Sequence, residues 1–416
     1  MRVLISVLAI VAAGCTAAEP AGPPPPPPPP PPTRQLVEWS NVVCTQVKAI
    51  EEAGTPPDSS FSFHSVLGSI DNATRALKKV PPSGVATADG HVAGLVTALE
   101  NLRPQLPSAT DTSLTSAPDA EARAKQVAEL ISGLGPVRQQ LAGVVENAPE
   151  LHTSYNLTPA CEPVRAVTLP EPAPTRELVV WADKMCATVT SIGELTTDTA
   201  DLAGEDPRFA SFELESYVST TNSTLDSAAT QIADLTTTGV KEADAFRDTL
   251  LTALRDEAAK LPTNPPLGTE GPALQEQVEL AKAAVTAVKP KAEGLLAVVG
   301  HGPALAASHD LAPSCVPRDI AAKPKPPLTA RNGTDLAACK AGSCQVLVTG
   351  KADITVGELT VTVSIRGGRM VLTTPSTRMS IGPNGMGKIG VAGGPSVVFV
   401  MTEVQGTTAV LDISTE

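Results

Sequence analysis

The chemically versatile residues of this chain are seven cysteines: Cys15, Cys44, Cys161, Cys186, Cys315, Cys339 and Cys344. A cysteine can accept a lipid, close a disulfide, hold a soft metal or attack as a thiolate, and its setting separates these roles. Cys339 and Cys344 are too far apart for a thioredoxin-like CxxC pair, and no further Cys or His lies near them to complete a metal site. A local disulfide is expected there. An odd cysteine in an exported protein needs its own explanation. If Cys15 carries a lipid, the remainder is even, as suits an oxidising compartment.

Other chemistry is sparse. His64, His91, His152, His301 and His309 are scattered, and His152 aligns with neither His301 nor His309 in the repeats described below. The chain holds no GxSxG elbow, HExxH, GxGxxG after a strand, or GxxxxGK[ST] loop; Gly350-Lys351 lacks the flanking residues of a phosphate loop. Asn72, Asn156, Asn222 and Asn332 fall in N-x-[ST] sequons, read as chance. No catalytic, cofactor-binding or metal-binding residue is expected, and no cofactor. A net charge of −13 argues against nucleic acid as a partner, because phosphate neutralisation needs clustered Lys and Arg. Residues 332–416 hold equal numbers of basic and acidic side chains, so the excess sits upstream.

The elements that must position these residues begin at the N-terminus. Arg2 precedes an apolar run, Val3 to Val11, too short to span a bilayer, and Ala12-Ala13-Gly14 lead into Cys15. Small residues before a Cys resemble a bacterial lipobox, in which the Cys is acylated and becomes the first mature residue; Ala12 departs from that pattern. Plain secretion with cleavage near Ala17-Ala18 is the alternative. The expected map is a lipoprotein signal peptide at 1–14 and a proline-rich tether at 15–33. Pro23 to Pro32 is an unbroken polyproline run, a stiff spacer of about 30 Å at ~3.1 Å per residue.

The chain then repeats itself. Thr33-Arg34-Gln35-Leu36-Val37-Glu38-Trp39 is echoed by Thr175-Arg176-Glu177-Leu178-Val179-Val180-Trp181, and Cys44 and Ile50 by Cys186 and Ile192, at a shift of 142 (175 − 33). Pro136, Val144-Val145, Pro149, Leu151, Leu157, Pro159 and Cys161 match Pro290, Val298-Val299, Pro303, Leu305, Leu311, Pro313 and Cys315 at a shift of 154 (303 − 149). Matches at fixed shifts mark a duplication, with 12 extra residues (154 − 142) in the second copy. Leu36, Trp39, Val43, Val47 and Ile50 recur at helical spacing, as do Leu178, Trp181, Met185, Val189 and Ile192. Further helices are expected at 61–80, 89–106 and 119–147, and at 209–235, 240–261 and 270–300. Proline linkers at 81–82, 104–107 and 262–266 separate them, and Pro136 and Pro290 should kink the fourth helix of each copy. Trp39 and Trp181 are expected to be packing anchors.

An up-down bundle returns its fourth helix to the start of the first. A tail running back along it would bring Cys161 to Cys44 and Cys315 to Cys186. The fold class is therefore expected to be multidomain α plus β. Two duplicated four-helix-bundle-like domains, 34–166 and 175–318, flank a linker at 167–174. A proline-rich linker at 319–331 leads to a small all-β sandwich or roll at 332–416. In that last segment Leu359, Val361, Val363 and Ile365 alternate with polar residues. A Gly367-Gly368 turn sets Ile365 opposite Met370 and Val363 opposite Leu372. Further turns are expected at Pro383-Asn384-Gly385 and Gln405-Gly406, and a buried strand at Val397 to Met401.

Gly333 to Cys339 followed by Cys344 to Gly350 resembles the start of a small β module found in secreted actinobacterial proteins of unknown function. The lipobox and the proline-rich linkers fit a secreted lipoprotein of that kind. The resemblance covers about the last 85 residues and implies no catalytic residues. The expectation is a non-enzymatic lipoprotein, outside the cytoplasm and lipid-anchored to the cell membrane through Cys15, that binds or scaffolds an envelope protein or wall component. The alternatives are a carrier holding an apolar small molecule in a bundle cavity and, third, an unrecognised hydrolase.

Overall fold

The computed structural model describes residues 29–54, 62–106, 117–164, 169, 172–199, 207–262, 271–321, 326–366, 368–382, 385–390 and 396–415. The signal segment, Cys15, most of the proline run, Pro324 and Pro383-Asn384 lie outside them. Among the described residues, no helix is long and apolar enough to cross a membrane. Helices fill the N-terminal and middle parts, and two antiparallel sheets fill the C-terminal part.

The first half contains α1 (Arg34–Ala53), α2 (Ser62–Lys79), α3 (Ala86–Leu102), α4 (Ala117–Ser132), α5 (Val137–Glu146) and α6 (Pro149–Leu157). Thr33 caps α1 by accepting the Leu36 N–H at 3.3 Å, which satisfies one of the donors a helix start leaves open. Trp39, Val43, Val47 and Ile50 then form a buried stripe, with Leu36 at its margin. The second half contains α7 (Arg176–Glu194), α8 (Pro207–Ala233), α9 (Lys241–Ala258), α10 (Pro272–Ala292), α11 (Leu295–Val299), α12 (Pro303–Leu311) and α13 (Arg318–Ala321). Thr175 caps α7 as Thr33 caps α1. Trp39 and Trp181 are both buried, each in its own half's core.

The two internal prolines end helices rather than kink them. Pro136 stands before α5, after a break at Gly133 to Gly135, and Gly135 has φ 75°. Pro290 sits in the last turn of α10, which stops at Ala292 before Gly294 at φ 93°. A proline removes a ladder donor and crowds the preceding turn, and a nearby glycine lets the chain turn left-handed. The expected helices at 119–147 and 270–300 are thus each two helices. The tails are short helices, α6 and α12, opening on proline and packed on α1 and α7. They bring Cys161 to Cys44 and Cys315 to Cys186, with Cα–Cα separations of 5.2 and 5.1 Å.

The β part comprises β1 (Ser343–Thr349), β2 (Lys351–Val356), β3 (Leu359–Arg366), β4 (Arg369–Thr373), β5 (Arg378–Ile381), β6 (Met386–Gly390), β7 (Ser396–Gln405) and β8 (Thr408–Thr415). One sheet runs β1-β8-β7-β6 and the other β2-β3-β4-β5. The β3–β4 register sets Ile365 opposite Met370 and Val363 opposite Leu372, as the alternation predicts. Gly406, at φ 62°, turns β7 into β8, and Val397 to Phe399 and Met401 are buried. The inner faces share one core, and Gly387 lies where they close. A Cβ there would collide with the Ile381 Cδ1 and Met379 Sδ atoms. Cys339 lies in a short 3-10 helix, Leu336–Ala341, and bonds Cys344, which is inside β1.

Candidate functional site

Six cysteines are consumed in three bonds, Cys44–Cys161, Cys186–Cys315 and Cys339–Cys344, the pairs inferred from the sequence. All six are buried. The Sγ atoms of Cys186 and Cys315 and a ring nitrogen of His309 lie within 4.8 Å of one another. A soft metal needs thiolates, and these sulfurs are bonded to each other, so the arrangement is a disulfide with an imidazole packed beside it.

His309 is 1% exposed, and burial lowers its pKa against the opposing pull of Asp310. Its Nδ1 lies 3.3 Å from Asp310 Oδ1. Burial raises the Asp310 pKa, but hydrogen bonds from the Arg318 side chain, the Arg318 N–H and His309 outweigh it and hold the carboxyl at about 2. The first half places Tyr155 at the corresponding position of the sequence, 154 residues earlier (309 − 155), where it is buried in the core that also holds Cys44 and Cys161. Asn156 takes the place of Asp310. Its Oδ1 accepts the Val164 N–H at 2.8 Å, as Asp310 Oδ1 accepts the Arg318 N–H at 3.1 Å. Asn156 is thereby committed inside the fold, and Asn222 and Asn332 also make hydrogen bonds that tie their amides to the main chain.

A surface depression of about 580 Å³ lies between α2 and α3. Leu99 and Leu106 line it together with Asp71, Thr74, Lys78, Glu100 and Arg103. Two ion pairs run along it: Arg103–Asp71 at 2.7 Å, and Lys78–Glu100. An open trough edged by half-exposed charges does not suit an apolar cargo, which prefers an enclosed apolar wall.

The β part is joined to the second half by a nearly buried ion pair between Glu213 on α8 and Arg378 on β5, whose side chains are 15% and 13% exposed. Burial raises the Glu213 pKa more than Arg378 and Arg366 lower it, so desolvation offsets much of the attraction. Neither residue was singled out in the sequence, although a signal for the dock exists. Ile70, Ala73 and Leu77 of α2 correspond to Leu225, Ala228 and Ile232 of α8 at a shift of 155 (225 − 70), and all six are buried. On that alignment Ser62 meets Tyr217, so residues 207–216 are an N-terminal extension of α8 without a counterpart in α2. The extension carries Glu213 and Phe212, which is 64% exposed.

The edges of the two sheets are partly closed. The outer side of β1 is taken by the chain's own residues, with the Asn332 N–H bonded to Gln345 O at 2.9 Å and the Leu347 N–H to Gly333 O at 2.7 Å. β5 carries the Arg378 contact. At the border of the other sheet, β6 presents Met386, 47% exposed. No protein-family model, curated protein or solved structure matches the chain.

Proposed function

We propose that the protein is an extracytoplasmic lipoprotein, anchored through Cys15, that works as a non-enzymatic binding or scaffold module for an envelope protein or wall component. The observation that carries this reading is the pairing of the cysteines. Each folded unit buries one disulfide, which fits an oxidising compartment, and Cys15 is the one cysteine left over. The apolar leader and the small residues before Cys15 supply the matching anchor signal.

In this reading the two helical halves are copies of one four-helix-bundle-like unit. Corresponding buried positions support it: Ala88, Leu95, Leu99 and Leu106 recur as Ala243, Leu250, Leu254 and Leu261 at a shift of 155 (243 − 88). A small hydrogen-bonded turn recurs as well. Ser83 binds Asp89 Oδ1 through its N–H at 2.7 Å, and Thr238 binds Asp244 Oδ1 in the same way at 2.8 Å. The halves then serve mainly as a stalk, and residues 332–416 present the recognition surface, chiefly around β6.

Membrane fractionation of cells producing the chain or its Cys15→Ser variant tests the anchor. The unaltered chain is expected in the detergent-soluble membrane fraction, and the variant is expected to be released or left unprocessed. A fully processed Cys15→Ser protein still in the membrane fraction would contradict the lipid anchor.

A further inference from the structure

Arg34 and Arg176 occupy the same place in the repeated Thr-Arg opening of α1 and α7, and each reaches into the opposite half. The Arg176 Nη1 donates to the carbonyls of Asn156 at 3.1 Å and Thr158 at 2.5 Å, and its Nη2 to those of Pro159 at 3.2 Å and Cys161 at 2.6 Å. The Arg34 Nη1 donates to the carbonyls of Asp310 at 3.0 Å and Ala312 at 3.1 Å, and its Nη2 to those of Pro313 at 3.3 Å and Cys315 at 2.8 Å. The acceptors correspond one for one at a shift of 154 (310 − 156). Each set lies at the C-terminal end of a short helix, α6 or α12, and the turn that follows it.

The chemistry of the cup explains the residue. The last carbonyls of a helix have no partner inside it, and they carry the negative end of its dipole. A flat guanidinium presents several donors in a fixed fork and can bridge such a set, whereas an ammonium is a point charge. The disulfide fixes the cup: Cys161 and Cys315 supply the last carbonyl of each set, and their side chains tie the turns to α1 and α7. Around the contact Leu157 of α6 packs into the core of the second half.

We infer that this surface is an isologous interface folded back within one chain: each half offers one arginine and one carbonyl cup, and the partner that fits either half is another unit of the same fold. An interface of that kind is self-complementary and needs no covalent link to hold its geometry. The duplication reading supplies its symmetry; the contacts stand without it. The two halves should therefore remain a complex when the chain between them is cut, and the guanidinium groups should decide how firmly.

The full chain can be tested with a protease site inserted at 165–168, between the halves. No disulfide crosses that point, so cleavage leaves two separate polypeptides. After cleavage without reductant, the halves are expected to elute together in size-exclusion chromatography at micromolar concentration. Arg34→Gln and Arg176→Gln are each expected to weaken the association by about tenfold to a hundredfold, as for loss of charge-assisted hydrogen bonds. Their equal size is the mark of two equivalent cups, and the double variant should separate on cleavage. Arg34→Lys and Arg176→Lys keep the charge and should recover only part of the loss. Circular dichroism and non-reducing peptide mapping of the uncut variants confirm that each is folded and correctly bridged. Separation of the unaltered halves at that concentration, or retention of the double variant as tightly as the unaltered protein, overturns the inference. The anchor and the partner of the β part do not enter this measurement.

Discussion

His309 and Tyr155 stand at matching positions of the sequence repeat, and of the two only the imidazole has an ordinary pKa near neutrality. Burial lowers the His309 pKa below its ordinary 6.5, so the unfolded chain binds a proton that the folded chain refuses. Its contribution to stability is therefore present above pH 6.5 and is lost as pH falls through the lower, folded value. His91 is shifted in the same direction by burial and adds to the effect from the first half. Thermal unfolding between pH 7.5 and 5 is expected to show a falling midpoint, and His309→Tyr, the residue the first half uses, should flatten part of that slope. An unchanged slope in His309→Tyr would show that the imidazole is solvated or paired in the fold. At this scale the cysteines were readable because their number and spacing restrict pairing. The role of Arg34 and Arg176 was not readable, although the repeated Thr-Arg opening displayed both. Their partners are backbone carbonyls in the other half, and carbonyls leave no trace in residue identity.

Elements were read unevenly, for physical reasons. The β3–β4 hairpin was fixed by side-chain alternation around a two-residue turn, a short-range rule, and its register follows. The fourth helices were read as continuous because the apolar spacing runs on across Pro136 and Pro290. The glycines beside those prolines decide the outcome, by allowing a full break. The extension of α8 passed as a mere length difference until the buried positions of α2 and α8 aligned. Two predictions belong here. Glu213→Ala leaves the Arg378 guanidinium nearly buried and unpaired, a loss of about 3–5 kcal/mol in comparable buried pairs. It is expected to free the β part, seen as faster amide exchange in β5 and faster proteolysis between residues 322 and 331. Exchange in β5 equal to that of the unaltered protein would mean that the ion pair does not hold the dock. Replacing Cys186 and Cys315 together by serine opens a loop spanning 129 residues. Stability of the second half should fall by about 5 kcal/mol on the chain-entropy model, or ~2–4 kcal/mol on the usual experience with such bonds. A fall below ~1 kcal/mol in denaturant unfolding would imply that the core, in a chain with only 2% aromatic residues, holds without the bond.

The whole molecule combines readable parts with an arrangement that was not readable. The change from helical spacing to alternation after the last proline-rich linker marked the border between helices and sheets. It said nothing of how the parts meet, because the polar contacts between them come from a few charged side chains: Arg34 and Arg176 between the halves, Glu213 and Arg378 between α8 and β5. The helical region consequently has a defined face for its own internal pairing and a separate dock for the β part. The proposed function places recognition in residues 332–416 and support in the helices. The direct test is cross-linking in intact cells, comparing the full anchored chain with a form ending near Pro327. The full chain is expected to capture a defined set of envelope partners, and the shortened form, still anchored and still disulfide-bonded, is expected to lose them. Equal capture of the same partners by both forms would contradict it and assign recognition to the helical halves.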